Sequence, residues 1–427
     1  MEEARMSLRR AVISAIVVVT VTTSACGGRT TEPVAPPPDA GISLPADLSG
    51  SGPGTVVAAH SMPTLDRRLS GVTSVAAKVT YASTSGVTGQ PTKVTGTVFA
   101  PKGKPPEGGW PIVAYGHPTT GVVAGCAPSS SPTLSNLSSA ILELVNAGYV
   151  VAMADYQGLG DDSTYHPYLD ATTAGYNLID SVRAARKVVA DTSNRWAAFG
   201  VSQGGQAAWA ANELSPSYGA GLELVGTASV SPPLNVSGFV DDAVNRELSK
   251  EQEPVYQALL ASQKNEDPGL NLDDYRRGVV ADKWDVLLQC DFGKADERSA
   301  AAEQITPDDL TPSTAAAAAA LRARLRTSDL PRRPLAAPAY VVYGGQDVLV
   351  PPAWTDAALQ TACEMDDVVR IDMQPDRGHS DVDVSPVLGW IADRFGTDPA
   401  PNSCPSFVTP PPPPGSEGTP APTGDGG

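Results

Sequence analysis

The chain is 427 residues long, 41% hydrophobic and 6% aromatic, with a formal net charge of -17 at pH 7. It can bury a sizeable core, as one large domain or two to three smaller ones. Acidity without a basic stripe argues against nucleic acid as a partner.

The first segment reads as an export signal. Arg5, Arg9 and Arg10 precede an apolar run from Ala11 to Val21, and Ser24-Ala25-Cys26-Gly27 follows. A run of about a dozen apolar residues is too short to span a bilayer and suits a signal-peptide core, so 1–26 is assigned to it, with Met6 as an alternative start. The Ser-Ala-Cys-Gly ending resembles a bacterial lipobox, with Thr23 where that motif usually has leucine. It implies a lipid on Cys26 and attachment to a membrane surface. The alternative is cleavage at a small-residue site and secretion. Residues 27–55 and 406–427 are rich in Pro, Gly, Ser and Thr and are expected to be a disordered tether and tail. Beyond Cys26, the cysteines are Cys126, Cys290, Cys363 and Cys404. An even number in an exported chain favours two disulfides, in any of three pairings. None forms a C-x-x-C, so neither a metal site nor a redox motif is expected.

The folded part opens with two Val/Thr/Tyr-rich runs, Val72 to Ser83 and Pro91 to Ala100, which predict an antiparallel hairpin at a sheet edge. Pro111 to Tyr115 is a short, continuously apolar run typical of a buried parallel strand, and it exits into Gly116-His117-Pro118-Thr119-Thr120-Gly121. A helix at Ala140 to Ala147, a strand at Tyr149 to Ala154 and a helix at Asp170 to Ala190 follow. In the last of these, Ala174, Leu178, Val182, Ala185 and Val189 form one apolar face. A strand at Trp196 to Phe199, a helix at Gln206 to Glu213 and a strand at Leu222 to Val230 continue the alternation, which predicts a mostly parallel sheet covered on both faces. The rhythm breaks after Pro232-Pro233. Residues 234–333 show helical patterns only, including an alanine run from Ala315 behind an N-cap at Thr314. They read as a helical cap inserted over the carboxyl ends of the strands, where open parallel sheets bind ligands. Strands at Ala339 to Tyr343 and Val368 to Met373, with helices at Ala353 to Ala362 and Ser385 to Phe395, complete an α/β core made of 56–233 and 334–405.

The chemistry centres on Gly200-Val201-Ser202-Gln203-Gly204, a G-x-S-x-G turn between a strand and a helix. Such a turn presents a serine hydroxyl as a nucleophile, which then needs a base. Of His60, His117, His166 and His379, only His379 follows a strand-end acid in the order Ser, Asp, His. Asp347, in the loop after the Ala339 strand, is the preferred acid over Asp376, Asp381 and Asp383, which crowd His379 in sequence. His117 is read as a structural hydrogen-bonding group. The oxyanion hole takes the amide of Gln203 and a second donor from the loop after the Pro111 strand: Thr120, with Thr119 and Gly121 as alternatives. Pro118 has no amide hydrogen.

These motifs, with Cys126-Ala127-Pro128-Ser129, Asp155-Tyr156-Gln157-Gly158, Ser181-Val182-Arg183-Ala184-Ala185, Gly344-Gly345-Gln346-Asp347 and Gly378-His379, resemble the secretory lipase family of α/β-hydrolases over about residues 60 to 405. The resemblance implies an α/β-hydrolase fold, Ser202, Asp347 and His379 as a catalytic triad, and hydrolysis of carboxylic esters or lipids. It also implies the pairings Cys126–Cys290 and Cys363–Cys404. One departure is His117-Pro118, where many relatives have His-Gly. Tyr256, Leu259, Leu260, Tyr275 and Trp284 in the cap are expected to furnish an apolar acyl pocket or, equally, to be the cap's own packing residues. No metal or organic cofactor is needed. The expected partner is a lipid or small ester, the expected state a monomer, and the expected location extracytoplasmic. The alternatives are a catalytically silent lipid-binding lipoprotein, or a peptidase or acyltransferase with the same triad.

Overall fold

The computed structural model describes residues 41–161, 163–290 and 294–407. The expected signal segment, Cys26, residues 27–40 of the tether and the tail from 408 onward lie outside the described residues. One nine-stranded sheet organises the chain. Its strands are β1 (Val56–Ser61), β2 (Thr73–Thr84), β3 (Pro91–Pro101), β4 (Trp110–Gly116), β5 (Val150–Ala154), β6 (Thr192–Val201), β7 (Glu223–Val230), β8 (Ala339–Gly344) and β9 (Val369–Gln374). Their spatial order is β1-β2-β3-β5-β4-β6-β7-β8-β9. Pairs from β1 to β3 and the β3–β5 pair are antiparallel; every pair from β5 to β9 is parallel. This is the mostly parallel α/β architecture that the alternating pattern predicts.

The central strands are apolar on both faces because both faces are covered. Ile112 and Ala114 of β4 point into one core, and Val113 and Tyr115 into the other. Val150, Ala152 and Ala154 of β5 alternate in the same way with Val151 and Met153. The first core is closed by the helices Ala171–Val188 and Gln203–Tyr218, which bring Leu178, Val182 and Trp209 against Trp196. The second is closed by Ser138–Asn146 and Ser385–Phe395 through Ile141, Leu144, Trp390 and Ile391. Each fully buried side chain of this size contributes roughly 1.5–3 kcal/mol.

Between β7 and β8 the described residues form helices and no strand. Gly238–Asn245, Gln252–Glu266 and Ala315–Leu325 share a separate apolar core, built on Phe239, Tyr256, Leu259, Leu260 and Leu321. Thr314 caps the last of them by accepting from the Ala317 amide. Within the helically patterned stretch, Asp274 to Leu288 does not form one helix but is broken into short pieces, Gly278–Asp282 and Trp284–Leu287. Gly278 stands at φ 53°, outside the helical region.

Two expectations are corrected at the first edge. Residues 41–55, expected to be disordered, are held against the body. Leu44 donates its amide to Ala59 O at 2.9 Å, Ser61 donates to Ile42 O at 2.9 Å, and Asp47 pairs with Lys187 at 2.8 Å. Backbone hydrogen bonding does not depend on the side chains that made the segment look like a tether. It lies beside β1, which is absent from the sequence-based strands and is the true edge, so the β2–β3 hairpin lies one strand further in. At the other end the body runs to Phe407, which packs on the first core. Cys126 pairs with Cys290, and Cys363 with Cys404.

Candidate active site

Strand β6 delivers Ser202 to a turn in a strained conformation, φ 53° and ψ -119°, before the helix Gln203–Tyr218 begins. The turn closes only on glycine. A β-carbon on Gly200 would lie 1.9 Å from Gly204 O, and one on Gly204 would lie 1.9 Å from Gly116 O. Ser202 is pinned by its own amide, which donates to Val230 O at 2.8 Å. Gln203 opens the helix, so its amide belongs to the first turn, whose N–H groups have no intrahelical acceptor.

The structure brings Ser202, His379 and Asp347 together. His379 follows β9, and Asp347 follows β8. His379 Nε2 lies 2.9 Å from Ser202 Oγ, and His379 Nδ1 lies 2.7 Å from Asp347 Oδ2. The other carboxylate oxygen accepts from the amides of Leu349 at 2.9 Å and Val350 at 2.8 Å, so the acid cannot rotate freely. Ser231 Oγ donates to His379 O at 3.0 Å and fixes the histidine loop from β7. The rival acids have other partners: Asp381 accepts from the Gly378 amide and Asp383 from the Ser385 amide. His117 is fully buried, and burial lowers its pKa; its ring nitrogens face the carbonyls of Pro118 and Asp155.

Ser202 and His379 open into a cavity of about 370 Å³. Leu169, Val201, Phe239, Val255, Leu349 and Val350 give it apolar walls, and among the described residues no Asp, Glu, Lys or Arg borders it. Of the three residues considered for the second oxyanion donor, Thr119 borders this cavity and Thr120 and Gly121 do not. Thr120 instead lines a second hollow beside Cys126 and Cys290, which Thr119 also borders. Gly121, at φ 139°, packs under the disulfide; a β-carbon there would lie 2.4 Å from Cys126 Sγ.

A family model described as secretory lipase matches residues 133–403. The chain belongs to the secretory lipase family. Membership places it among ester-hydrolysing α/β-hydrolases, and together with two disulfides it fits an extracytoplasmic location. Among solved structures, this family member is similar to the rice cell wall degrading esterase LipA from Xanthomonas oryzae. That match has 21% identity and a TM-score of 0.61, covering 78% of this chain and 92% of the other. It is also similar to Candida antarctica lipase A in its closed state, at 17% identity and a TM-score of 0.63, covering 84% and 86%. Both likenesses show the α/β-hydrolase fold. A search of curated proteins found no match.

For this family member, only one of the two readings of the cap side chains holds. Tyr256, Leu259, Leu260, Tyr275 and Trp284 pack within or against the core of the helical segment and do not border the cavity. Phe239 and Val255 of the same segment do. A helix has one face for its own core and another for the cavity, and apolar character alone does not say which is which. Sequence reasoning also missed His166 and Tyr168. His166 is buried and hydrogen-bonds Gln203, and Tyr168 borders the cavity and hydrogen-bonds Thr119. No sequence spacing signals contacts that span 37 and 49 residues.

Proposed function

We propose that the chain hydrolyses carboxylic esters through an acyl-enzyme on Ser202. The single observation behind this is the unbroken hydrogen-bonded line from Asp347 through His379 to Ser202, at the mouth of an uncharged apolar cavity. Ser202 Oγ attacks the acyl carbonyl carbon, and its proton passes to His379 Nε2. Asp347 holds His379 with its proton on Nδ1 and stabilises the imidazolium as it forms. The carbonyl oxygen becomes an oxyanion that accepts from the amide of Gln203 and from the loop at Thr119. When the tetrahedral intermediate collapses, the ester C–O bond breaks and the alcohol leaves with the proton from Nε2. Water then repeats the sequence on the acyl-enzyme and releases the carboxylic acid.

The apolar walls suit an uncharged acyl group, from a small ester or a lipid. The test is hydrolysis of chromogenic esters by the parent protein and by Ser202→Ala. Turnover by the parent alone supports the proposal; equal turnover by both contradicts it. We further propose that Cys26 carries the lipid that the Ser24 to Gly27 sequence suggests. Mass spectrometry of the mature amino terminus from cells would show an acylated cysteine if so, and an unmodified one if the chain is released.

A further inference from the structure

We infer that the segment His166-Pro167-Tyr168 is a positioning bracket that holds both halves of the oxyanion site, Gln203 through His166 and Thr119 through Tyr168. The inference rests on the proposed serine mechanism and adds two residues to it.

His166 makes the first contact. Its Nδ1 lies 2.8 Å from Gln157 O, and its Nε2 lies 3.0 Å from Gln203 Nε2. A carbonyl oxygen can only accept and an amide nitrogen can only donate. The proton is therefore on Nδ1, and Nε2 accepts from the Gln203 side chain. Burial keeps this imidazole neutral, with its pKa lowered to about 3, so the arrangement does not titrate across the working range of an esterase. Gln203 itself is buried and does not border the cavity. An anchor on this residue fixes the peptide that follows Ser202, which carries the first oxyanion donor.

Tyr168 makes the second contact. Its hydroxyl lies 2.7 Å from Thr119 Oγ1, and both residues border the Ser202 cavity. Thr119 is itself exposed, on a loop with no strand or helix to hold it, so this hydrogen bond is what ties it to the buried segment. The bracket is in turn clamped on two further sides. Tyr168 donates its amide to Ser262 Oγ of the helix Gln252–Glu266 at 2.9 Å, and Gln206 Nε2 donates to Leu169 O at 3.3 Å. Three residues thus join the nucleophile helix, the oxyanion loop and the helical insertion. A hole for a developing oxyanion works only when its donors are held in place before the charge appears.

The test uses Tyr168→Phe, His166→Leu and His166→Gln in the full chain. Tyr168→Phe removes one oxygen and leaves the ring. His166→Gln can still accept from Gln203; His166→Leu cannot. Steady-state kinetics on a chromogenic ester are read beside the inhibition constant of a trifluoromethyl ketone, which forms a tetrahedral adduct carrying an oxyanion. Positioning predicts that Tyr168→Phe and His166→Leu each lower kcat roughly tenfold or more, with KM within about twofold. Affinity for the ketone should weaken by the same factor, and His166→Gln should recover most of the loss. The acid limb of the pH profile should not move, because His166 is not the base. Unchanged kcat in Tyr168→Phe, or a loss of kcat without loss of ketone affinity, would overturn the bracket. If Ser202→Ala is inactive while these variants keep full kcat, the bracket falls and the serine mechanism stands. If Ser202→Ala is fully active, both fall.

Discussion

His379 Nε2 lies 2.9 Å from Ser202 Oγ, although 177 residues separate them in sequence. The contact exists because β6 and β9 end at the same edge of the sheet, with β7 and β8 between them. The helical segment between β7 and β8 can therefore enter and leave without disturbing it, since the strands that carry the chemistry stay hydrogen-bonded to their neighbours.

The acid is the first point to probe. In Asp347→Asn, the carbonyl oxygen can still accept from the Leu349 and Val350 amides, so the loop should keep its shape. The amide nitrogen would then face His379 Nδ1 and force the proton to the wrong ring nitrogen. We expect kcat to fall about 10⁴-fold with little change in KM, measured on a chromogenic ester.

The sequence carries the elbow and the Ser, Asp, His order plainly because such chemistry demands rare local patterns. Gly200, Ser202 and Gly204 must stand at fixed offsets, and only one of four histidines follows the serine and a strand-end acid in the order Ser, Asp, His. Strands β4, β5 and β8 are legible from continuous apolar runs, the mark of burial on both faces. Strand β1 is not: it has six residues, its apolar run is brief, and its pairing with β2 is the main force that makes it a strand. Residues 41–55 misled for a related reason, since composition reports side chains while the backbone makes the contacts. In the helical segment, periodicity marked Leu259 and Leu260 as apolar but could not tell core from cavity.

The cavity walls lead to a prediction about acyl length. The apolar walls at Phe239, Val255 and Leu349 meet the acyl group beside Ser202, so they should set which chain length is preferred. Phe239 closes part of the wall and rests edge-on against Trp354, with ring centroids 5.2 Å apart. Phe239→Ala should shift the optimum of a p-nitrophenyl ester series to longer chains. An unchanged optimum would show that Phe239 does not limit the acyl group.

The disulfide between Cys126 and Cys290 spans 164 residues and joins the loop under Gly121 to the helical insertion. Chain entropy alone gives such a closure about 5 kcal/mol, less any native strain. Replacing both cysteines by serine should lower unfolding stability by about 2–5 kcal/mol in urea titrations. Because Gly121 packs against this bridge, activity should be lost at lower urea concentration than in the parent.

Glu266 offers a pH test. Burial first, and the nearby Asp170 second, push its pKa from 4.5 up to about 7. Between about pH 4.5 and 7 the folded protein keeps a proton that the unfolded chain has lost. Stability contributed here therefore falls as pH rises through that window. Glu266→Gln should remove the loss. Relative to the parent, the variant should gain on the order of 1 kcal/mol between pH 4 and pH 8, allowing for the partial exposure of the group. Thermal melts at pH 4, 6 and 8 check this, and a constant difference across them would contradict it.

The central claim is that Ser202 is the activated nucleophile. A fluorophosphonate probe followed by peptide mapping measures it most directly. One adduct per chain is expected, on Ser202, and none in the Ser202→Ala protein. A folded parent protein that takes up no probe, or takes it up at another residue, would contradict it.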